Sequence, residues 1–586
     1  MSTAPSDDTT AVPSADILAG LDSDQRRAAE ITAGPLLVVA GPGSGKTRTL
    51  THRIAHLVRN HRVRPEHCLA ITFTRRAADE MRERLHRLLP AVAAEIPLFT
   101  FHALGMSVLQ EHWNAAGLQR GFRVASDAER QHLLRETLGV SARQTRSLLS
   151  AISVAKRTGQ APAEDRQIDI YHRYQQELDA RNLVDFDDLI GRTIQVFESD
   201  TGLRDAYRER SQWVCIDEYQ DVDEQQVRLI KLLVPPDGNI CAIGDPDQAI
   251  YRFRGADVRF FAQFTADFPG AQVVRLTRNY RSDSNIVHLS SQVIAPSGSE
   301  QKSTPVLADT PSLITLHEAR TEKAEAEFVV HSIETLLGGH SFFSIDSGRS
   351  RDAEDRAVSF SDIAVLYRTE AQAEAVVEAL HRSGMPFQKH AHTRLLDHPG
   401  VALLLDTLRE QPGDGALVAR LEAACEKAEA TGAGAETRAA LELLQPVAQE
   451  CGDDLDRFLS TLALETQVDT WDPRADRISL LTLHAAKGLE FSVVFIVGCE
   501  DGILPLTWGK AEAADLEEER RLFYVGVTRA KTKLYLCQAR KRRWRGTVQA
   551  MSPSPYLADI EEHLLERRRS QLSARGKKKA DQLELF

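Results

Sequence analysis

The seven cysteines of this 586-residue chain stand singly, and none forms a Cys-x-x-Cys pair. That disfavours a disulfide framework or a cysteine-built zinc site and fits a reducing compartment, the cytoplasm. No apolar run approaches the roughly 18 residues of a membrane span, so a membrane partner is not expected. The first twenty residues are rich in Ser, Thr, Asp and Pro and lack a basic-then-apolar signal pattern, so they read as a disordered leader (1–20). Positive charge is not in excess either: 72 Lys and Arg face 84 Asp and Glu, a net charge of −12. Indiscriminate nucleic-acid binding is therefore not expected of the whole surface. The bases are clustered, however, at Arg540 to Arg545, Arg567 to Arg569 and Lys577 to Lys579. Such runs read either as local phosphate-tracking patches or as ordinary solvated faces.

What is present is more specific. Leu36 to Ala40 is a short apolar run that breaks into Gly41, Pro42, Gly43, Ser44 and Gly45 and ends in Lys46 and Thr47. Arg48 opens a helix-compatible segment. This is the strand–loop–helix layout of a phosphate-binding loop, in which glycines let backbone N–H groups curl around phosphates at a helix N-terminus. Lys46 is placed for the β- and γ-phosphates and the Thr47 hydroxyl for Mg²⁺. Ala40 stands where the usual pattern has its first glycine. A second apolar run, Val214 to Ile216, ends in Asp217 and Glu218. A strand-end Asp holds Mg²⁺ in such enzymes, and a neighbouring Glu deprotonates the attacking water. A third run, Ile240 to Gly244, leads to Gln248, suited to sensing a γ-phosphate or a water. Behind it lie Tyr251, Phe253 and Arg254, which read as a stacking platform for single-stranded bases or as core residues.

These residues together resemble the superfamily 1 DNA helicases of the UvrD/Rep/PcrA type. Gln25 matches an adenine-reading motif, and Ala40 is common in this family at the position of the first glycine. The segment Ile71 to Ala78 resembles a motif in which Phe73 and Thr74 meet DNA, with Arg75 and Arg76 replacing Asn-Lys. Thr100 to Gly105 resembles the next, which contains His102, and Val184 to Leu189 the one that precedes the Asp-Glu strand. Phe253 replaces a frequent Trp. Asn279 to Ser282 is similar to a motif whose Tyr280 stacks on adenine and whose Arg281 reaches the γ-phosphate. In Thr482 to Glu490 the resemblance implies DNA contacts near Thr482 and His484 and a ribose-side role for Glu490. In Tyr524 to Ala530 it implies a second γ-phosphate arginine, Arg529. Nucleotide contacts are thus expected from Gln25, Ala40 to Arg48, Tyr280, Arg281, Glu490 and Arg529. Metal contacts are expected from Thr47 and Asp217, and catalysis from Lys46, Asp217, Glu218, Gln248, Arg281 and Arg529.

The resemblance implies an α/β chain of two RecA-like lobes, parallel sheets flanked by helices, with helical insertions. The first lobe is expected at 21–110 and 197–285, with a helical insertion at 111–196 that shows leucine spacing and no strand signal. The second is expected at 286–388 and 477–557, interrupted by a reduced helical insertion at 389–476. A basic tail, 558–586, would follow. The segment 338–357 reads as a loop without assigned function. Gln582, Leu583, Leu585 and Phe586 resemble a sliding-clamp-binding peptide; docking to a clamp or packing on the chain's own surface are both open.

The implied activity is an ATP- and Mg²⁺-dependent 3′-to-5′ DNA helicase or translocase of repair or replication, acting on single-stranded and tailed duplex DNA. A translocase that strips proteins from DNA without processive unwinding is one alternative. A motor subunit working with a nuclease in trans is another.

Overall fold

The computed structural model describes residues 16–162, 164–299, 303–307, 311–338, 358–390, 395–410, 415–430, 434–464, 475–507 and 513–569. Two units divide the chain. The first holds residues up to Ser282, then Gly298–Ala308 and His390–Asp472; the second holds Asp283–Ser297, Asp309–Lys389 and Pro473–Phe586.

In the first unit, β1 (Leu36–Ala40), β2 (Cys68–Thr72) and β3 (Leu98–Thr100) come first. The helical segment contributes a two-residue pair, β4 (Arg123–Val124) with β5 (Leu183–Val184). Then β6 (Trp213–Ile216), β7 (Asn239–Gly244) and β8 (Gln272–Leu276) complete a six-stranded sheet. Its order is β3-β2-β6-β7-β1-β8, and every pairing is parallel. Parallel sheets covered on both faces need apolar residues at both alternations, and the strands supply them. Leu37, Val39, Ile71, Val214, Ile216 and Ile240 enter one core, while Leu36, Val38, Ala70, Cys215, Cys241 and Ile243 enter the other. The register pairs Val39 with Gly244 and Ile216 with Ala242, so the carboxyl ends of β1, β6 and β7 share one edge. Ligands of open parallel sheets bind at that edge.

The helical segment of the first unit has its own small core around Leu134, Ile152, Tyr174 and Leu178. Under it lies a buried ion network. Lys156 Nζ donates to Asp185 at 2.8 Å and to Asp188 at 2.6 Å, and Arg130 Nε donates to the Tyr174 hydroxyl at 2.9 Å. Burial opposes charge on Asp185, but Lys156 and Arg130 outweigh it and hold its carboxyl below the ordinary range. The β4·β5 pair corrects the purely helical expectation for 111–196. Asn182, at φ +52, leads into β5, and its carbonyl accepts from Arg123 N at 3.3 Å.

The next two strands, β9 (Arg278–Asn279) and β10 (Thr304–Pro305), form a small parallel pair of their own that belongs to the first unit. The second unit's sheet uses β11 (Ile314–Thr321), β12 (Ile363–Tyr367), β13 (Phe387–His390), β14 (Ile478–Thr482), β15 (Phe491–Ile496), β16 (Ala530–Trp544), β17 (Thr547–Ala550) and β18 (Leu565–Arg569). The order is β13-β14-β12-β15-β16-β11-β18, with β17 antiparallel to β16. Helices Glu322–Leu336 and Glu370–Ser383 cover it over Ile363, Val365, Val493 and Phe495. Inside, Arg542 donates to Glu325 at 2.5 Å and to Glu500 at 2.7 Å; all three side chains are at most 3% exposed.

Four expected boundaries shift. Ile17 and Leu18 are buried in the first core, so packed chain reaches back into the expected leader. The first unit's leading stretch ends at Ser282, three residues before the expected boundary at 285. The insertion 389–476 interrupts the second unit's sequence between β13 and β14, yet its helices pack on the first unit. Leu404, Leu421, Leu444 and Phe458 share a core with Phe101 and Leu109, so the apolar face of these helices is covered within the first unit. Finally, β18 pairs with β11, so Leu565–Arg569 belongs to the second sheet rather than to a tail. Residues 570–586, with the Gln582 to Phe586 peptide, lie outside the described residues, as do 339–357 of the unassigned loop. All seven cysteines are free and buried. No described helix is long and apolar enough to cross a membrane.

Candidate active site and nucleic-acid interface

The loop after β1 turns at Gly43 (φ +68) and Gly45 (φ +80), and Gly45 starts helix Lys46–Asn60. Both positions are left-handed, which glycine adopts without strain. Space demands glycine too. A Cβ on Gly43 would lie 2.6 Å from Arg281 Cβ, and one on Gly45 2.7 Å from Gln25 Nε2. The loop is braced by Ser44 Oγ, which donates to Gly41 O at 2.7 Å, and by Gln25 Nε2, which donates to Ser44 O at 2.9 Å. Gln25 is itself fixed, since it completes a capping box with Asp22 on helix Ser23–Glu30. Tyr280 reaches the same place: its hydroxyl donates to Asp22 at 2.6 Å while its ring stays 39% exposed. The loop, Gln25, Tyr280 and Arg281 are thus one neighbourhood.

Lys46 Nζ donates to Ala40 O at 3.3 Å. Thr47 Oγ1 donates to Asp217 Oδ2 at 3.3 Å, which brings together the two oxygens expected to meet a metal. Both are hard oxygen donors, and a hydroxyl with one carboxylate suits Mg²⁺, which keeps waters and phosphate oxygens in its remaining positions. Burial, then repulsion from Glu218, pushes the Asp217 carboxyl up to about 7 against the pull of Lys46. A cation beside it would restore the ionised form. Glu218 has φ +53, a strained conformation for a residue with a side chain. Its carboxylate accepts from Gln220 Nε2.

Sequence reasoning missed three contributors here. Asp245, at the end of β7, is fully buried and pushed up to about 7 by that burial, with Lys46 opposing. Gln248 Nε2 donates to Asp245 at 2.6 Å, so the expected sensor is oriented by this carboxylate. Gln220 Oε1 accepts from Asp245 N at 2.9 Å and so ties the β6 and β7 loops together. The signal for Asp245 was the same strand-end placement that singled out Asp217. Asn279 is the third, and its Nδ2 donates to Pro42 O at 2.9 Å.

Beyond this edge, a cavity of about 370 Å³ is lined by Phe73, Thr74, His102, Tyr251 and Arg254, five of the expected DNA contacts. Phe73 and Tyr251 stack on each other with centroids 5.1 Å apart and planes 15° from parallel. His102 stacks on Phe186 at 3.8 Å, a partner that was visible within the Val184 to Leu189 motif but given no role. Thr74 doubles as the N-cap of helix Arg75–Leu88, which fixes Phe73 just before it. Tyr251 is buried, whereas Phe253 is 60% exposed and lies outside the lining; Arg254 covers both rings, at 5.2 and 5.6 Å. Asp397 and Leu464, from the insertion, also line the cavity.

In the second unit, Thr482 ends β14 and accepts from Ala485 N at 3.2 Å, and His484 follows half-buried in the same turn. Glu490 is exposed and paired with Lys531 at 2.7 Å. Arg529 is 2% exposed; it donates to Val525 O, Leu489 O and the Thr528 hydroxyl at 2.9 to 3.1 Å. Its guanidinium is held in one orientation by its own unit.

A phosphate loop at the carboxyl edge of a buried parallel sheet, joined to an Asp-Glu strand end, defines the class: a P-loop protein of RecA-like architecture. Residues 21–269 match the model of the UvrD/REP helicase N-terminal domain, and 274–411 with 422–541 that of the UvrD-like helicase C-terminal domain. A protein named ATP-dependent DNA helicase PcrA from Leuconostoc citreum is 32% identical over 94% of this chain and 86% of its own length. Its namesake in Bacillus subtilis is 32% identical over 94% and 87%, and that of Staphylococcus aureus strain MRSA252 is 29% identical over the same shares. The chain belongs to the UvrD/Rep family of helicases.

Proposed function

We propose that this protein hydrolyses ATP with Mg²⁺ to move 3′-to-5′ along single-stranded DNA and to separate tailed duplexes, in repair or replication. The observation that carries it is the loop after β7. It begins at Asp245 and Gln248, beside Lys46, and reaches the stacked aromatic cavity at Tyr251. A shift at the phosphates therefore has a covalent path of a few residues to the rings that would hold bases. Lys46 neutralises the β- and γ-phosphates, Thr47 and Asp217 hold the metal, and Glu218 takes the proton of the attacking water. Gln248 orients that water. Arg281 and Arg529 stabilise the charge that develops on the transferred phosphoryl group, a role worth on the order of 10³–10⁵ in rate in related enzymes. Gln25 and Tyr280 take the adenine, and Glu490 the ribose side.

The test is ATP turnover with and without single-stranded DNA, paired with unwinding of 3′- and 5′-tailed duplexes. Stimulated turnover with unwinding of the 3′-tailed substrate is the expected result. Turnover indifferent to DNA would refute the motor reading, and unwinding from the 5′ tail would refute the polarity. The peptide at Gln582 to Phe586 is read as a sliding-clamp anchor. Its deletion should abolish clamp pull-down and leave ATP turnover intact.

A further inference from the structure

Asn279 ends β9 at 3% exposure and has a partner for every polar group of its side chain. Nδ2 donates to Pro42 O at 2.9 Å. Oδ1 accepts from Arg281 N at 2.9 Å and from Ser282 N at 3.0 Å. Its backbone carbonyl accepts from Val306 N at 3.0 Å, and the next residue, Tyr280, donates its N–H to Gly43 O at 2.9 Å. The two segments also touch sterically, since a Cβ on Gly43 would lie 2.7 Å from Asn279 Oδ1.

The position of this residue in the chain gives those contacts meaning. The first unit's chain leaves at Ser282 and returns at Gly298. Ser282 N is held by Asn279, while the next residue, Asp283, is anchored in the second unit: its N–H donates to Lys531 O at 2.7 Å and its carboxylate accepts from Ser312 N at 3.0 Å. One peptide bond joins the two anchors. The returning chain forms β10, which pairs with β9 and reaches the Asn279 carbonyl through Val306. One amide therefore meets the phosphate loop, the departing crossing and the returning one.

We propose that Asn279 is a positioning residue that makes the set of the phosphate loop and the placement of Arg281 and the Ser282–Asp283 crossing mutually dependent. Its side-chain amide is engaged by the chain itself, at Pro42 O, Arg281 N and Ser282 N. Its side chain has to donate on one side and accept on the other. Aspartate fails the first demand, and alanine fails both. Loss of the Pro42 tie leaves a loop that still folds around phosphates but no longer reports them to Arg281. The proposal rests on the nucleotide reading of the loop.

The experiment uses the full chain with N279D, N279A and, as reference, K46A. Binding of a fluorescent ATP analogue, ATP turnover with and without single-stranded DNA, and the melting temperature are measured on each. N279D keeps the acceptor for Arg281 N and Ser282 N but turns an oxygen toward the Pro42 carbonyl. It is expected to bind nucleotide within about threefold of the parent while losing about tenfold or more in DNA-stimulated kcat, the signature of misplacement rather than lost affinity. N279A should lose as much and also melt lower. Parental kcat and KM in N279D would overturn the proposal, as would a fall in kcat that merely follows a lowered melting temperature. Inactive K46A beside an unaltered N279D would remove only the tie. K46A turning over at the parental rate would remove the nucleotide reading itself.

Discussion

Two rings at 5.1 Å leave no room for a base between them: a base stacked on both faces needs two contacts of about 3.5 Å, or about 7 Å between the rings. If Phe73 and Tyr251 clamp a base, DNA must first part them by about 2 Å. The parting forfeits the ring pair, about 0.5–1.5 kcal/mol, and base stacking returns about 1–3 kcal/mol per base. Tyr251→Ala removes both the platform and the competitor, so it should weaken single-stranded DNA binding by about 1–2 kcal/mol, roughly 5- to 30-fold. Phe73→Ala should do the same. The double variant should fall short of the sum of the two by about 0.5–1.5 kcal/mol, because the second removal acts on a ring already without its partner. The assay is fluorescence-anisotropy titration of labelled oligonucleotide at fixed salt, since phosphate contacts make affinity salt-dependent. Strictly additive losses would refute the shared clamp, and unaltered affinity in both single variants would remove this cavity from the DNA path.

Arg529→Ala should nearly abolish DNA-stimulated ATP hydrolysis while nucleotide binding stays measurable; parental turnover would exclude Arg529 from the reaction. Arg542→Met should destabilise the second unit by about 3–5 kcal/mol, because it strands Glu325 and Glu500 in a buried site, and Arg542→Met with both glutamates changed to Gln should recover much of that loss. A melting temperature unchanged by Arg542→Met alone would mean that water reaches the triad. Burial, with Asp187 adding to it, pushes Asp223 up to about 7 from its ordinary 3.8, so the folded state keeps this proton through a window in which the unfolded chain has lost it. Stability contributed by Asp223 therefore falls as pH rises from about 4 to 7. Asp223→Asn keeps the N-cap on helix Glu224–Leu233 and removes the titration. Its melting advantage over the parent should be absent near pH 4 and grow to at most about 4 kcal/mol by pH 8. An advantage that does not change with pH would show that Asp223 is hydrated.

In the first unit's sheet β1, β6 and β7 were legible because each is an apolar run that ends in polar chemistry at one edge; Ala40, Ile216 and Gly244 mark that edge in the sequence itself. Gln25 and Tyr280 lie 255 residues apart, and only the resemblance brought them to one loop. Periodicity shows that the helices of 395–464 have an apolar face. It says nothing about which surface covers that face, so their packing on Phe101 and Leu109 was not readable. The edge strand β18 was hidden for a related reason: Leu565–Arg569 is mostly charged, as an edge strand tolerates, and composition alone made it a basic tail. Asn279 was missed because a buried polar residue gives its reason only through its partners, and Asp245 because the strand-end signal was read only at Asp217.

Those partners also sort the site by what each group does. In the proposed mechanism Lys46, Thr47, Asp217 and Glu218 would act on a phosphate, and the residues around them would decide whether that chemistry is connected to anything else. Gln220 joins the β6 and β7 ends, Gln248 rests on Asp245, and Asn279 joins Pro42 to Arg281. All three are neutral amides, each with a donor and an acceptor on one rigid plane. A charged side chain in any of these places would compete with the nucleotide for its partner, and a hydroxyl would be too short to span two loops. Substitutions that keep shape but reverse one end, such as Asn to Asp or Gln to Glu, should therefore uncouple DNA from hydrolysis before they abolish nucleotide binding. Removal of Lys46 or Asp217 should do the opposite and silence turnover with and without DNA.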